Sequence, residues 1–155
     1  MSQSVVEFRP VTSEAVSFIA NTMRKEDVHE VWAAGHYSPL EAITSGLDLP
    51  GFSVVVWIND EPCAILGVVS TDPLSGIGVP WLLSSESALK YKSEFLRQSP
   101  PVIEEMLDIC STLYNYVHID NKLSVRWLKW LGFSMDTAQP YGVDNELFYR
   151  FYMNR

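Results

Sequence analysis

The stretch from Tyr114 to Phe133, YNYVHIDNKLSVRWLKWLGF, changes its hydrophobic period halfway along. Through Ile119 the side chains alternate, with Tyr114, Tyr116 and His118 on one face and Asn115, Val117 and Ile119 on the other, which is the period of a strand. Asp120-Asn121 ends that run. Leu123, Trp127, Trp130 and Leu131 then recur at helical spacing until Gly132-Phe133. Asn is among the best helix N-caps, and Gly supplies the left-handed residue that stops a helix. A strand that passes this directly into an amphipathic helix places the chain among mixed α/β domains.

The remaining punctuation agrees with that class. VVEFRPVT reads as a first strand, with Val6 and Phe8 alternating against Glu7 and Arg9. Thr12 or Ser13 can cap a helix whose stripe is Val16, Ile19 and Met23. A second helix, Arg24 to Ala34, is expected to turn Val28, Val31 and Trp32 inward and to stop at Gly35. Ser38-Pro39-Leu40-Glu41 combines a capping box with proline at the first helical position and opens a third. GFSVVVWIND and CAILGVVSTD, joined through Asn59-Asp60-Glu61-Pro62, form a hairpin, and their unbroken apolar character implies cover on both faces. GIGVPWLLSS is a fourth strand. A polar helical stretch, Ser85 to Gln98, precedes a separate helix expected to open at Ser99-Pro100-Pro101 and run to about Leu113. Two strands follow Phe133, the second being ELFYRFYM.

At 155 residues this is one domain with enough chain for a proper core. Its 47% hydrophobic and 19% charged content excludes a disordered chain. No run reaches the roughly 18 to 20 apolar residues of a membrane-spanning helix. The N-terminus MSQSVVEFRP has no basic flank or apolar leader, so a cytosolic location is expected. Cys63 and Cys110 lie in apolar runs without a partner at metal or redox spacing and read as buried thiols. With 19 acidic against 11 basic residues the formal charge is −8, which argues against a nucleic-acid or anionic-membrane partner and favours a cationic one.

The order strand, Asn121, helix, Gly132-Phe133 resembles the second acetyl-CoA motif of the GNAT N-acetyltransferases, Asn-x-x-Ala-x-x-apolar-Tyr-x-x-x-Gly-Phe. Asn121, Ser124, Trp127, Leu128, Gly132 and Phe133 stand at its positions. The resemblance implies a single GNAT-like domain, with a central mixed, mostly antiparallel sheet flanked by helices on both faces. It also implies acetyl-CoA as cofactor and an amine or protein lysine as acceptor. In that family the fourth and fifth strands splay, and the pantetheine arm pairs with the freed backbone like an added strand. Carried over, Leu82, Leu83 and Ser84 would face the arm from one strand, with Asn121, Ser124 and Trp127 beyond the other. MRKEDVHEVWAAGHYSPLEAI and LYNYVHIDNKLSVRWLKWLGF further resemble small phage proteins of the internal virion protein A type. That resemblance implies a place in the host cytoplasm or the virion, and a phage or host protein as partner if the chain is not an enzyme.

His118, Tyr116 and Glu86 are the candidates for moving a proton: an imidazole with an ordinary pKa near neutrality, a phenol, and a carboxylate just past the fourth strand. Each has a structural alternative, as a strand histidine with a satisfied ring, a strand former and a solvated charge. The structural alternative for Asn121 is a cap alone, and for Trp127 and Trp130 core packing alone. Glu26, Asp27, His29 and Glu30 form a charged cluster that GNAT proteins would use for the acceptor, and that otherwise reads as a solvated face; no metal site is expected there. Two family features are missing. No glycine occurs between Trp81 and Gly132, where the family has its pyrophosphate turn, and Leu128 replaces a frequent general-acid tyrosine.

Overall fold

In a computed structural model, which describes residues 4–155, eight strands form one sheet between two layers of helices. The chain runs β1 (Val6–Arg9), α1 (Ser13–Asn21), α2 (Lys25–Gly35), α3 (Pro39–Leu47), β2 (Gly51–Ile58), β3 (Glu61–Val69) and β4 (Ile77–Ser84). It continues through α4 (Lys92–Ile109), β5 (Thr112–His118), α5 (Lys122–Leu131), β6 (Ser134–Met135), β7 (Gln139–Tyr141) and β8 (Glu146–Asn154). The strand order is β1-β2-β3-β4-β5-β8-β6, with β7 also on β8; β4–β5 is the parallel pair and the other pairs are antiparallel. Met1 to Gln3, part of the N-terminal stretch expected to carry no leader, lie outside the described residues. No described helix is long and apolar enough to cross a membrane.

Local signals explain most boundaries. Thr12 caps α1 through Ala15 N–H, and Ser38 with Glu41 closes the capping box of α3. The β2–β3 turn narrows to Asn59 and Asp60, both in the left-handed region, as a two-residue hairpin demands. Glu61 and Pro62 therefore already belong to β3, and opposite the Val56–Trp57 step of β2 the register shifts by one extra residue, Cys63, next to the proline. Gly132, at φ 103°, ends α5.

Two apolar layers hold the sheet. Ala15, Val16, Ile19 and Ile43 of α1 and α3 pack on Val55, Ile65 and Leu83 on one face. Met106, Leu107, Val125 and Leu128 of α4 and α5 pack on Val56, Ala64, Leu66 and Val117 on the other. Cys63 and Cys110 are free and buried.

Three strands rather than two follow Phe133, and three expectations about the helices change. The separate helix opening at Pro100 does not exist. After a 3₁₀ turn (Glu86–Tyr91), α4 runs unbroken from Lys92 through Pro100-Pro101 and ends at Ile109 rather than Leu113. The pair deprives the Leu96 and Arg97 carbonyls of their helical donors, and just before it the Ser99 hydroxyl bonds back to the Phe95 carbonyl and accepts from Trp127 Nε1 at 3.1 Å. Trp32 is 52% exposed instead of inward, since Asp27 and Ala33 take the buried side of α2. Trp130 is likewise 57% exposed, so Val125 and Leu128 supply the buried stripe of α5.

Candidate active site between the splayed strands

Parallel neighbours β4 and β5 are paired at only two places, Ile77 with Thr112 and Gly78 with Leu113. Beyond that seam they diverge, leaving a wedge between Val79–Ser84 and Tyr114–His118. Gly78 allows the close approach at the apex. A Cβ there would lie 2.6 Å from Cys110 Sγ and 2.8 Å from Val68 Cγ2. Pro80 falls just where the ladder stops. Its missing N–H is on the gap side, as its carbonyl shows by accepting from Asn115 Nδ2 across the gap at 2.7 Å. Asn115 Oδ1 in turn takes the Tyr116 N–H at 2.8 Å, so one side chain stands in for two ladder bonds.

The wide end is closed differently, by charged groups of α2. Asp27 Oδ2 accepts from both the N–H and the hydroxyl of Ser84, each at 3.1 Å, while the Arg24 N–H donates to the Ser84 carbonyl at 2.9 Å. Opposite, Glu30 Oε1 accepts the His118 N–H at 2.8 Å. Asn121 joins the two sides. Its amide donates to Asp27 at 3.1 Å and Glu30 at 3.3 Å, and its carbonyl accepts from Arg24 Nη2 at 3.0 Å. Arg24 Nη1 lies 3.3 Å from Asp27 Oδ1. Burial pushes the Asp27 carboxyl up against the pull of Arg24. Burial and then the nearby Asp27 charge raise Glu30 to about 7.

Between these ends a cavity of about 490 Å³ runs through the sheet. Phe95, Val102, Ser124 and Trp127 line it on the α4–α5 side, and Glu30, Val31, Tyr37 and Tyr141 on the α2 side. Its charged lining is Asp27, Glu30 and Glu94, without a lysine or arginine. Six of the eleven basic residues lie between Lys90 and Lys129, all exposed, on the 3₁₀ turn, α4 or α5. The passage is therefore acidic inside.

Leu82 lines the cavity and lies on the same strand edge as Pro80 and Ser84, with its own N–H and C=O directed at the gap. Ser124, Trp127 and Tyr116 also line the cavity, Tyr116 stacked on Tyr141 with ring centroids 3.9 Å apart. Leu83 belongs to the opposite edge, where it pairs with Ile65, and its side chain is core. Ser84 and Asn121 reach the gap but are committed to the Arg24–Asp27–Glu30 network, and Asn121 makes no side-chain cap bond.

Two proton-moving candidates are displaced. Glu86 is exposed on the 3₁₀ turn, its N–H held by the Thr22 carbonyl, and does not reach the cavity. The His118 ring turns away from the gap: Nδ1 accepts from the Asp120 N–H at 3.1 Å, so Nε2 carries the proton and donates to Glu146 at 2.8 Å. It has no lone pair left for an incoming amine. Asp27 and Glu30, expected only as part of a charged acceptor cluster or a solvated face, instead turn inward and hold the wide end of the gap. Their signal was present, since Arg24, Asp27, Val31 and Ala34 recur at helical spacing, but charge on a buried face defeats an apolar stripe.

A splayed parallel pair in an otherwise antiparallel sheet, with helices on both faces and a passage through the gap, defines a GNAT-like fold. Solved structures agree at the level of fold. The spermidine N-acetyltransferase from Vibrio cholerae, in complex with CoA and spermine, superposes with a TM-score of 0.72 at 13% identity, covering 96% of this chain and 95% of that one. A Bacillus subtilis acetyltransferase in complex with CoA gives 0.67 at 11% identity over 99% of both chains. An Agrobacterium tumefaciens acetyltransferase gives 0.67 at 14% identity over 97% and 94%. No family model matches the sequence, and no curated protein does.

Proposed function

We propose that the chain is an acyl-CoA-dependent N-acetyltransferase acting on a cationic amine or a protein lysine. The observation that carries this reading is the two-rung seam, which leaves the Leu82 backbone edge facing an apolar-walled passage through the sheet. That edge suits the amides of a pantetheine arm, and Ser124 and Trp127 suit its flank. Without a glycine turn, the phosphates would meet the Lys90, Lys92 and Arg97 side chains beside the first turn of α4. When bound, acetyl-CoA supplies a thioester carbonyl to the attacking amine. The acidic interior attracts the ammonium form. Glu30, poised at about 7, accepts the proton the amine must lose, and Tyr116 is the phenol available to protonate the departing sulfur.

Calorimetry and thermal shift with acetyl-CoA, followed by transfer to spermidine and a lysine peptide, test this. Saturable binding and a rate that climbs with pH through about 7 are expected, with Glu30→Gln losing roughly 100-fold in turnover. Absence of binding at roughly millimolar ligand overturns the reading.

A second reading, a non-catalytic phage virion or host-takeover protein that keeps the fold as an interaction scaffold, has its own support. Asp27 and Arg24 already occupy the Ser84 edge that a ligand would use, and the glycine turn is absent. Recovery of the chain in purified particles, together with no acetyl-CoA binding, would favour it.

A further inference from the structure

On the α2 face, outside the passage, three side chains from distant parts of the sequence converge. Nε2 of His29 (α2) and Nε2 of His118 (β5) lie 2.9 and 2.8 Å from the same oxygen, Oε1 of Glu146 at the start of β8. All three ligand-type atoms fall within 4.8 Å of one another. We propose that His29, His118 and Glu146 bind a divalent transition-metal ion of the zinc type.

Two imidazoles and one carboxylate are the donors such ions prefer, and an alkaline-earth ion would ask for more oxygens. Bonds of about 2.0 to 2.1 Å in a tetrahedron place ligand atoms about 3.3 to 3.4 Å apart, so the three need move by no more than about 1.5 Å. His118 is the anchored ligand, with its side chain 4% exposed, while His29 at 55% and Glu146 at 34% remain open to an ion arriving from solvent. The adjoining cleft, lined by Glu26 and Asp120 as well as Lys25, leaves room for a fourth ligand such as water.

Metal binding through Nε2 requires the His118 proton to sit on Nδ1 instead. The nearest acceptor for that tautomer is Asp120 Oδ2, 4.0 Å from Nδ1, which must close by about 1 Å as the Asp120 N–H gives up its bond to Nδ1. A carboxylate behind a ligating histidine fixes its orientation and raises its basicity. The ion would tie α2 to β5 and β8. The site does not depend on acyl-CoA binding.

The test is Zn²⁺ titration of the chelator-treated full chain by calorimetry, with visible absorption of the Co²⁺ form as the second readout. One equivalent bound at roughly micromolar affinity and a rise in Tm are expected. His29→Ala, an exposed position that should not prevent folding, should weaken binding at least about tenfold and abolish the Co²⁺ bands. Glu146→Gln should do the same, and Asp120→Asn should weaken binding by roughly tenfold. No saturable uptake at roughly 100 μM Zn²⁺, or uptake undiminished by His29→Ala, overturns the proposal.

Discussion

The two ends of the wedge between β4 and β5 solve the same problem with opposite chemistry. At the apex, backbone pairs with backbone, and Gly78 lets apolar neighbours close around the seam. At the wide end, the unpaired groups of Ser84 and His118 are satisfied by buried carboxylates of α2, cross-linked through Asn121 and Arg24. Backbone pairing is indifferent to pH and to the side chains that carry it. A carboxylate network depends on every member, because each removal leaves another group buried without a partner. One end is therefore robust to titration and the other exposed to it.

The sharpest way to break this contrast is Asp27→Ala, which leaves Arg24 without its buried counter-charge and Ser84 N–H without an acceptor. A loss of about 3 to 5 kcal/mol in urea unfolding is expected. A loss below about 1 kcal/mol would show that the wide end is not held by charge.

The second test is pH. Glu30 holds its proton to about 7 in the folded chain against 4.5 ordinarily. The stability it contributes is therefore full below 4.5 and is lost as pH rises through 7. The native chain should lose about 2 to 3 kcal/mol over that window relative to Glu30→Gln. Asp27 is shifted in the same direction, so part of the slope should persist in the variant. Parallel stability curves for the two proteins would contradict the assignment.

Gly78→Ala probes the apex, where the added methyl meets Cys110 and Val68. Overpacking of about 1 to 3 kcal/mol is expected, without any pH dependence. Smallest is Gly132→Ala, where the nearest atom to a new Cβ is Met153 Cε at 3.7 Å and the left-handed backbone supplies the whole cost. About 1 kcal/mol is expected by the same denaturation measurement.

The contrast also explains what could be read from the chain. Strands, caps and the Asn59-Asp60 hairpin depend on local pattern, and so did the Gly132 stop. The splayed pair followed from the Asn121 to Phe133 resemblance. The α2 cluster resisted reading because its inward face carries Arg24 and Asp27, whose partners stand as many as 97 residues away. The Pro100-Pro101 pair misled because proline usually marks a helix start, whereas here it lies mid-helix beside the Ser99 hydroxyl. His29, His118 and Glu146 are separated by 89 and 28 residues, and no spacing rule connects them.

A sheet joined across its middle by two rungs is mechanically two plates sharing a short spine. Rocking about Gly78 and Leu113 would change the width of the passage while every other strand ladder stayed intact. Since α2 spans the free edges of both plates, what grips that helix governs how far they swing.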